Sequence, residues 1–371
     1  MTIITKHMNN KFYVPILKAK FGEFQALAKL NIHVSRHVCP LIEITQITWD
    51  HQEKKIPPTM EEHLNKIAKK LIEHWPLSRA FIDMGQIAHL QADGNSTIEY
   101  FYKRLFERGL TPLPVLRINS PTLLLGGISH IQTKYNISQA GLRVTLTDLS
   151  SPQLKLNLDK AIAIQQAGIS DIHLIIDLGA PENFEDLDAL TDAIVSRLEN
   201  FPYFQEWASV SICGSAYPKP DKIKKEINYF PRHEWTLYGQ IVEQMTGKPF
   251  FREVNFGDYS IVAPGHFDFD PIRMNTAAKM IYTTTESYIF LKGKSLKHKG
   301  FRQYIDQASE IVNADYYLGE QFSAGDWQLK RCCTDQKNTG TATTWNWVGN
   351  NHHITKVVND LFASRSVVSY K

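Results

Sequence analysis

The feature that most constrains the fold is an alternation of short apolar segments with segments of helical periodicity. Eight apolar segments rich in β-branched residues run from "FYVPILKAK" to "FFREVNFGDYS", and seven helical patterns separate them. Runs such as "LII" at residues 174–176 are apolar along their length, which is typical of strands buried on both faces of a parallel sheet. The alternation predicts an α/β fold, most simply a closed (β/α)8 TIM-like barrel, with a doubly wound open sheet as the second choice.

The alternation ends after about Pro264, which suggests a boundary. We predict a TIM-like barrel over residues 11–264 and a mixed α+β C-terminal extension, packed on the barrel, over residues 265–371. In the extension, "MIYTTTESYIFLKGK" is interpreted as a strand pair, "FRQYIDQASEIV" as a helix, "DWQLKRCC" and "TTWNWVG" as strands, and "HITKVVNDLFA" as a short closing helix. The extension is either an appended subdomain or the eighth helix of the barrel with an insertion.

Composition limits the partners and the compartment. The formal net charge of +3 gives no global electrostatic attraction to nucleic acid or membrane. Four cysteines, of which Cys332 and Cys333 are adjacent, form no disulfide framework and fit a reducing compartment. No run of about 18 apolar residues occurs, and the N-terminus lacks the apolar core of a signal peptide. We expect a cytoplasmic protein without membrane association.

Charged residues recur where the strands of the predicted barrel end. The carboxyl ends of parallel strands gather at one face, where α/β barrels place their chemistry. Lys18 and Lys20 are two residues apart, so both belong to the strand face that also carries Ile16. Asp148 follows the fifth strand as a further strand-end charge. The candidate barrel-mouth ligand site consists of Lys18, Lys20, Glu43, Asp83, Arg117, Asp177 and Asp258.

Two interpretations of this candidate site stay open. The residues are either ion pairs that stabilise the barrel rim or a ligand site for an anion such as phosphate. Glu43, Asp83 and Asp177 come from separate strands, and three carboxylates of this kind can hold a hard divalent cation such as Mg²⁺. We assign no metal to this site, and the cofactor and the catalytic residues stay unknown at this point.

Two further groups are weaker candidates. His352 and His353 lack the spacing of a zinc site, and capping or packing explains them better. A basic segment follows the strand pair of the extension, and it is either a solvated loop or a site for an acidic protein or the phosphates of RNA or DNA. The residues of this candidate anion- or partner-binding segment are Lys292, Lys294, Lys297, Lys299 and Arg302.

Several segments, taken in order, resemble the Beta family of satellite-phage and prophage proteins. They are "YVPILKAKFGEFQAL", "PLIEI", "EWTLYGQ", "FGDYS", "IYTTTESYIFLKGKS", "FSAGDWQ" and the closing W-x-W-x-G-x-N-H-H-I. The resemblance spans nearly the whole chain. It implies a place in a phage-defence, abortive-infection cassette beside a toxic partner called Gop and a regulator called cII. It implies no catalytic residues.

Two functions of different classes are consistent with the sequence. One is a protein that binds and restrains, or works with, its toxic companion, in the manner of a toxin–antitoxin pair. The other is a barrel enzyme that acts on a phosphate-containing or nucleic-acid substrate at the polar mouth. The sequence carries no known catalytic motif, so we favour the binding role.

Overall fold

A closed parallel barrel forms the larger part of the structure. A computed structural model describes residues 11–47, 59–265 and 276–362, apart from residues 78, 166, 182, 183, 185 and 336. The strands are β1 Val14–Lys18, β2 Leu41–Glu43, β3 Phe81–Asp83, β4 Gln91–Ala92, β5 Asn95–Ser96, β6 Leu113–Arg117, β7 Ala140–Thr145, β8 Ile172–Asp177, β9 Ser209–Gly214, β10 Ile227–Pro231, β11 Asn255–Asp258, β12 Ala277–Thr283 and β13 Ser287–Ser295. Eight of them close the barrel in the order β1-β11-β9-β8-β7-β6-β3-β2, and every neighbouring pair is parallel. The predicted barrel is confirmed.

Helices connect the barrel strands and cover the outside of the barrel, and further helices belong to the C-terminal extension. They are α1 Phe21–Ala28, α2 Ile32–Ser35, α3 Met60–His74, α4 Thr97–Phe106, α5 Thr122–Tyr135, α6 Leu146–Leu149, α7 Leu154–Ile164, α8 Leu187–Glu199, α9 His233–Met245, α10 Leu296–Lys299, α11 Gln303–Val312, α12 Ala324–Thr334 and α13 Ala342–Phe362. The helix α4 shows how the sequence sets a boundary: Ser96 and Glu99 cap its first turn reciprocally, and its apolar residues face the barrel.

Side chains alternate between the inside and the outside of the barrel. Val14, Ile16, Leu41, Phe81 and Ile175 form an apolar cluster inside. The intervening residues, such as Leu17 and Ile42, join the larger core between strands and helices. Because the period is two, the last inward position of each strand falls at the carboxyl end and forms the mouth of the barrel.

The C-terminal extension is built on a three-stranded antiparallel sheet in the order β10-β13-β12. The predicted strand pair is confirmed as β12 and β13, and the predicted helix as α11. The strand β10, which arises between β9 and α9 of the barrel, was not predicted. The helices α11, α12 and α13 pack on one face of the sheet around Met280, Leu291 and Trp345.

Two strand predictions in the extension are wrong. Residues 324–334 form α12 and residues 342–348 begin α13, so Trp345 and Trp347 do not share a strand face. Aromatic and β-branched residues favour strands in isolation, but here packing decides. Leu329 and Cys332 of α12 are buried at helical spacing, and Ser323 caps that helix by accepting a hydrogen bond from the Asp326 N–H.

The helix α13 belongs to both cores. Trp345 and Val348 pack in the extension, whereas Ile354 and Val357 pack in the core around the barrel. The helix lies against α1, where the eighth helix of a barrel lies. A Cβ atom on Gly22 of α1 would come within 2.1 Å of the Asn346 Oδ1 atom, so a larger residue there would force the Asn346 side chain to move. The division at residue 264 stays a prediction.

Candidate functional site

The mouth of the barrel is a layer of charged side chains above the apolar interior. Strand register sets its members, since Lys18 pairs with Glu43, Glu43 pairs with Asp83, and Arg117 pairs with Arg143. Asp177 ends β8 on the same inward face. All of these side chains are buried except that of Arg117, which is 36% exposed. The structure therefore brings six of the seven candidate residues to the mouth, with Lys20 at its edge beside Lys18.

Arg143 lies at the centre of this layer and was not among the candidate residues. Its Nη1 donates to Glu43 Oε1 at 2.8 Å and to Asp83 Oδ2 at 2.6 Å. Its Nε and Nη2 donate to Asp177 Oδ2 at 2.9 and 2.7 Å, and Nη2 also donates to the Tyr259 hydroxyl at 2.8 Å. A guanidinium has five N–H donors, so these contacts use its full capacity. Burial alone would lower the pKa of Arg143, but Asp177 and Asp83 raise it well above the ordinary value.

Asp83 is shared by two arginines. Arg117 donates through Nε and Nη2 to Asp83 Oδ2 at 3.2 and 2.8 Å. The other oxygen, Oδ1, accepts the Gly85 N–H at 2.9 Å. Burial would raise the pKa of Asp83, but the charges of Arg143 and Arg117 outweigh it and hold the pKa below its ordinary value. Asp83 is therefore ionised and fully engaged at neutral pH.

Asp177 and Tyr259 complete the layer. The Tyr259 hydroxyl donates to Asp177 Oδ2 at 2.7 Å, and the Gly179 N–H donates to Oδ1 at 2.9 Å. Burial, together with the charge of Asp177, raises the pKa of Tyr259 far above its ordinary value. The phenol thus stays neutral and acts as a hydrogen-bond donor.

Lys18 and Lys20 lie at the edge of the layer. The Lys18 Nζ donates to the Gly265 carbonyl at 2.6 Å, and burial followed by the nearby charge of Lys20 lowers its pKa. Lys20 is half-buried and precedes the first residue of α1. With Arg117 and Arg143, the lysines give the mouth four cations against the three carboxylates of Glu43, Asp83 and Asp177.

Asp258 does not join the mouth. It occupies an outward position of β11, and its neighbour Tyr259 faces inward instead. On the outside of the barrel wall, Asp258 Oδ1 accepts from the Tyr13 hydroxyl and Oδ2 accepts from His353 Nε2 at 2.8 Å. The Arg232 guanidinium lies 3.9 Å away. Asp258 therefore links the barrel to the extension.

One sequence signal could have identified Arg143. It is a charged residue within the apolar strand "GLRVT", on the same face as Gly141, two residues before the strand ends. Asp148, noted instead as a strand-end charge, caps α6 by accepting from the Thr145 N–H at 2.9 Å. Tyr259 could not be found by its charge, because it carries none at neutral pH.

The mouth is arranged as an ionic network rather than as a cation site. In the described ranges, no three His, Cys, Asp or Glu side chains are grouped so that they could hold a metal ion. Carboxylate oxygens of Glu43, Asp83 and Asp177 already accept from Arg143. A Mg²⁺ ion at this position would have to displace that arginine, which leaves an uncompensated charge in a buried place.

The two adjacent histidines lie in a buried network between the barrel and the extension. His353 Nδ1 contacts the Thr283 hydroxyl at 3.0 Å while its Nε2 contacts Asp258. His352 lies between Asp326 Oδ2 and the Thr283 carbonyl, both at 2.8 Å, and stacks on Tyr282 at 3.9 Å. Burial lowers the pKa of His353, and the charge of Arg232 acts in the same direction. These contacts join β11, β12, α12 and α13.

The predicted basic segment lies at the end of β13 and in α10. Lys294, Lys297, Lys299 and Arg302 are exposed. Lys292 is half-buried, and its Nζ donates to the Ile223 carbonyl at 2.8 Å. The segment is thus folded against the loop that precedes β10.

The fold and the site define a (β/α)8-barrel protein whose mouth is an arginine–carboxylate network and whose extension shares a helix with the barrel. The chain belongs to the Beta protein family, since the family model matches residues 13–359. That match covers the barrel strands and most of α13. No curated protein and no solved structure matches the chain. Within the described residues, every helix is too short or too polar to cross a bilayer.

Proposed function

We propose that this protein is the binding component of a phage-defence cassette and that it restrains or works with a toxic companion protein. Membership of the Beta protein family supports this role, because the resemblance to satellite-phage and prophage proteins implies such a cassette. The shared helix α13 gives the molecule a rigid connection between two cores, which suits a protein that presents a surface to a partner.

The observation that carries a binding role is the closed hydrogen bonding of the mouth. Both oxygens of Asp83 and both oxygens of Asp177 accept hydrogen bonds, and Arg143 uses all of its donors. A carboxylate that acts as a general base needs an oxygen within reach of the proton it removes. The oxygens of Asp83 and Asp177 are all used in hydrogen bonds within the protein. This geometry therefore supports a binding role for the protein more than a catalytic role.

Co-purification with the companion tests the proposal. We expect affinity-tagged protein to retain the toxic companion on a column and to restore growth to cells that express both. The companion expressed alone is the control for toxicity. If the companion does not co-purify and its toxicity is the same with and without this protein, the proposed function is wrong.

An enzyme with a phosphate-containing or nucleic-acid substrate is the second candidate, and Glu43 favours it. Among the described residues, Glu43 accepts a hydrogen bond through Oε1 only, from Arg143, and it pairs in register with Lys18. The charge of Lys18 lies close to Glu43, and the second Glu43 oxygen is the one carboxylate position in this layer that suits a proton transfer.

The variant Glu43→Gln separates the two candidates, because glutamine still offers Arg143 an acceptor oxygen but cannot take up a proton. If the protein acts only by binding, the Glu43→Gln variant should restrain the toxin as well as the unmodified protein does. If the folded variant still binds the companion but no longer restrains it, the mouth acts as an enzyme. Glu107→Gln, at the exposed residue that follows the last residue of α4, is the matched control.

A further inference from the structure

Strand register brings several basic segments to one end of the extension sheet. The first residue of β10, Ile227, pairs with Leu291, and the first residue of β12, Ala277, pairs with Ser295 at the end of β13. The loop of residues 215–226, the start of β12, the end of β13 and α10 therefore meet at this end. The sequence alone does not show that these segments are neighbours, because the loop lies about 70 residues before the end of β13.

Direct contacts hold these segments together. The Lys292 N–H donates to the Glu226 carbonyl at 3.2 Å, and the Lys292 Nζ donates to the Ile223 carbonyl at 2.8 Å. The Lys279 Nζ donates to the Tyr217 hydroxyl at 2.8 Å. At the other side, Gln303 Oε1 accepts the Lys294 N–H at 2.7 Å and fixes the start of α11. The surface is thus one folded unit.

The residues of this end are strongly basic. Segments 215–226 and 276–302 hold ten of the 41 Lys and Arg residues but only three of the 38 Asp and Glu residues. We call the ten cations the sheet-end lysine surface, and they are Lys219, Lys222, Lys224, Lys225, Lys279, Lys292, Lys294, Lys297, Lys299 and Arg302. All except Lys292 are exposed. The net charge of +3 for the chain therefore conceals a cationic surface on an otherwise acidic molecule.

Most of these charges are not neutralised by the protein. Within the residues that the structure describes, none of the eight lysines other than Lys219 forms an ion pair with a carboxylate. Elsewhere on the surface, Lys66 and Lys155 pair with acidic residues one turn away on their helices. Like charges kept close together without counter-charges repel each other, and an anionic partner relieves that repulsion.

The chemistry of the surface favours phosphates over the carboxylates of an acidic protein. Nine of the ten cations are lysine, and lysine is depleted in protein–protein interfaces, where arginine is enriched. Lysine binds phosphate as a point charge without a fixed orientation, as contacts to a nucleic-acid backbone require. Phe301, next to Arg302, exposes 45% of its surface and offers a flat ring on which a base can stack.

We propose that the sheet-end lysine surface binds the phosphate backbone of a nucleic acid. This binding goes beyond the proposed function, since it needs no companion protein. DNA and RNA share the backbone chemistry, so the surface selects the polyanion and does not read its sequence. Lys222, Lys224 and Lys225 contribute together with the strand and helix lysines.

Fluorescence anisotropy with the purified chain alone tests the proposal. The probes are labelled single-stranded RNA and DNA of 20 nucleotides and a DNA duplex of 20 base pairs. We expect binding that weakens between 50 and 200 mM salt, and a triple variant Lys222→Gln, Lys224→Gln, Lys225→Gln that binds more weakly. For single strands, the loss of three phosphate contacts should reduce the slope of log affinity against log salt by about 2.

A charge-matched variant makes the result specific. Lys103→Gln, Lys160→Gln, Lys248→Gln removes the same charge from exposed positions on the barrel, and it should bind like the unmodified protein. Equal weakening in both triple variants would show a net-charge effect only and overturn the proposal. So would absence of binding to all three probes, or loss of companion binding instead of nucleic-acid binding in the first variant. Tighter binding of RNA or of DNA identifies the preferred polymer and supports the proposal.

Discussion

The barrel mouth and the sheet-end lysine surface are both rich in charge, but they use it in opposite ways. At the mouth, Arg143 is 3% exposed and is surrounded by carboxylates and a tyrosine hydroxyl. At the sheet end, lysines stand in solvent, and the carboxylates nearby are few. The charged groups at the mouth pair with one another and hold the barrel strands together. The charged groups at the sheet end remain available to a partner. A charged cluster therefore indicates function only after its pairing is known.

The largest expected effect that tests this comparison is that of Arg143→Met. The change leaves Glu43, Asp83 and Asp177 buried around a side chain that cannot donate, and removal of one partner from a buried ionic network costs on the order of 3–5 kcal/mol. Denaturant unfolding measures the loss. Arg104→Met, a surface arginine of α4, is the control and should cost far less. A loss below about 1 kcal/mol for Arg143→Met would mean that the mouth is not structural.

Mild acid should weaken the protein through His173, which lies on an inward position of β8 in the interior of the barrel. Burial, with the charge of Arg79, lowers the pKa of His173 from 6.5 to about 4. From pH 6.5 down to about 4, the unfolded chain binds a proton that the folded imidazole does not bind. Stability is therefore present above pH 6.5 and falls below it, by up to about 1.4 kcal/mol per pH unit from this group.

Unfolding measured at pH 7, 6, 5 and 4.5 checks this expectation, with His173→Asn as the variant without a titrating ring. His353, whose pKa burial also lowers, acts in the same direction, so the difference between the two proteins isolates His173. Asp83 stays ionised throughout because its pKa lies below the ordinary value. Identical pH profiles for the two proteins would contradict the assignment.

A smaller loss of stability is expected from Arg117→Gln, and it distinguishes the rim from the centre of the mouth. Arg117 is 36% exposed, and Asp83 keeps Arg143 as a partner when Arg117 is replaced. Solvent screening weakens such a pair, so the free energy of unfolding should fall by about 1 kcal/mol or less. A loss as large as that of Arg143→Met would show that the two arginines form one inseparable unit.

The smallest effect should come from the triple variant Lys222→Gln, Lys224→Gln, Lys225→Gln. All three side chains are exposed, so their loss should change the free energy of unfolding by no more than about 0.5 kcal/mol. The same denaturant experiment measures it on the scale of the arginine variants. A loss above about 1 kcal/mol would place these lysines in the structure of the protein and remove the contrast with the mouth.

Much of the barrel and part of its mouth could be predicted from the sequence, because a period of two determines both. Glu43, Asp83 and Asp177 end apolar strands on inward positions, and the alternation identifies them. Asp258 ends a strand as well, but it is outward by one residue, and a shift of one position exchanges the faces. Strand ends cannot be located to one residue from a pattern, so this choice could not be made.

The extension was harder to predict for a different reason. The strand β10 is an edge strand of five residues with alternating exposure, inserted within a barrel connection, and it pairs with a strand nearly 60 residues later. The helices α12 and α13 carry tryptophan and β-branched residues that favour strands locally. Packing between residues that are far apart in the sequence determines whether these segments form strands or helices. A single sequence does not show which residues will pack together.

The position of α13 has a consequence for the order in which the molecule is completed. The Asn351 side chain donates to the Ala26 carbonyl across 325 residues of chain, and His353 reaches Asp258 of the last barrel strand. During synthesis, β1 and α1 leave the ribosome long before the helix that covers them exists. The outer layer of the barrel therefore stays open until nearly the whole chain has been made. Contacts between residues so far apart in the sequence slow folding. Until α13 has been made, the nascent barrel exposes apolar surface beside α1.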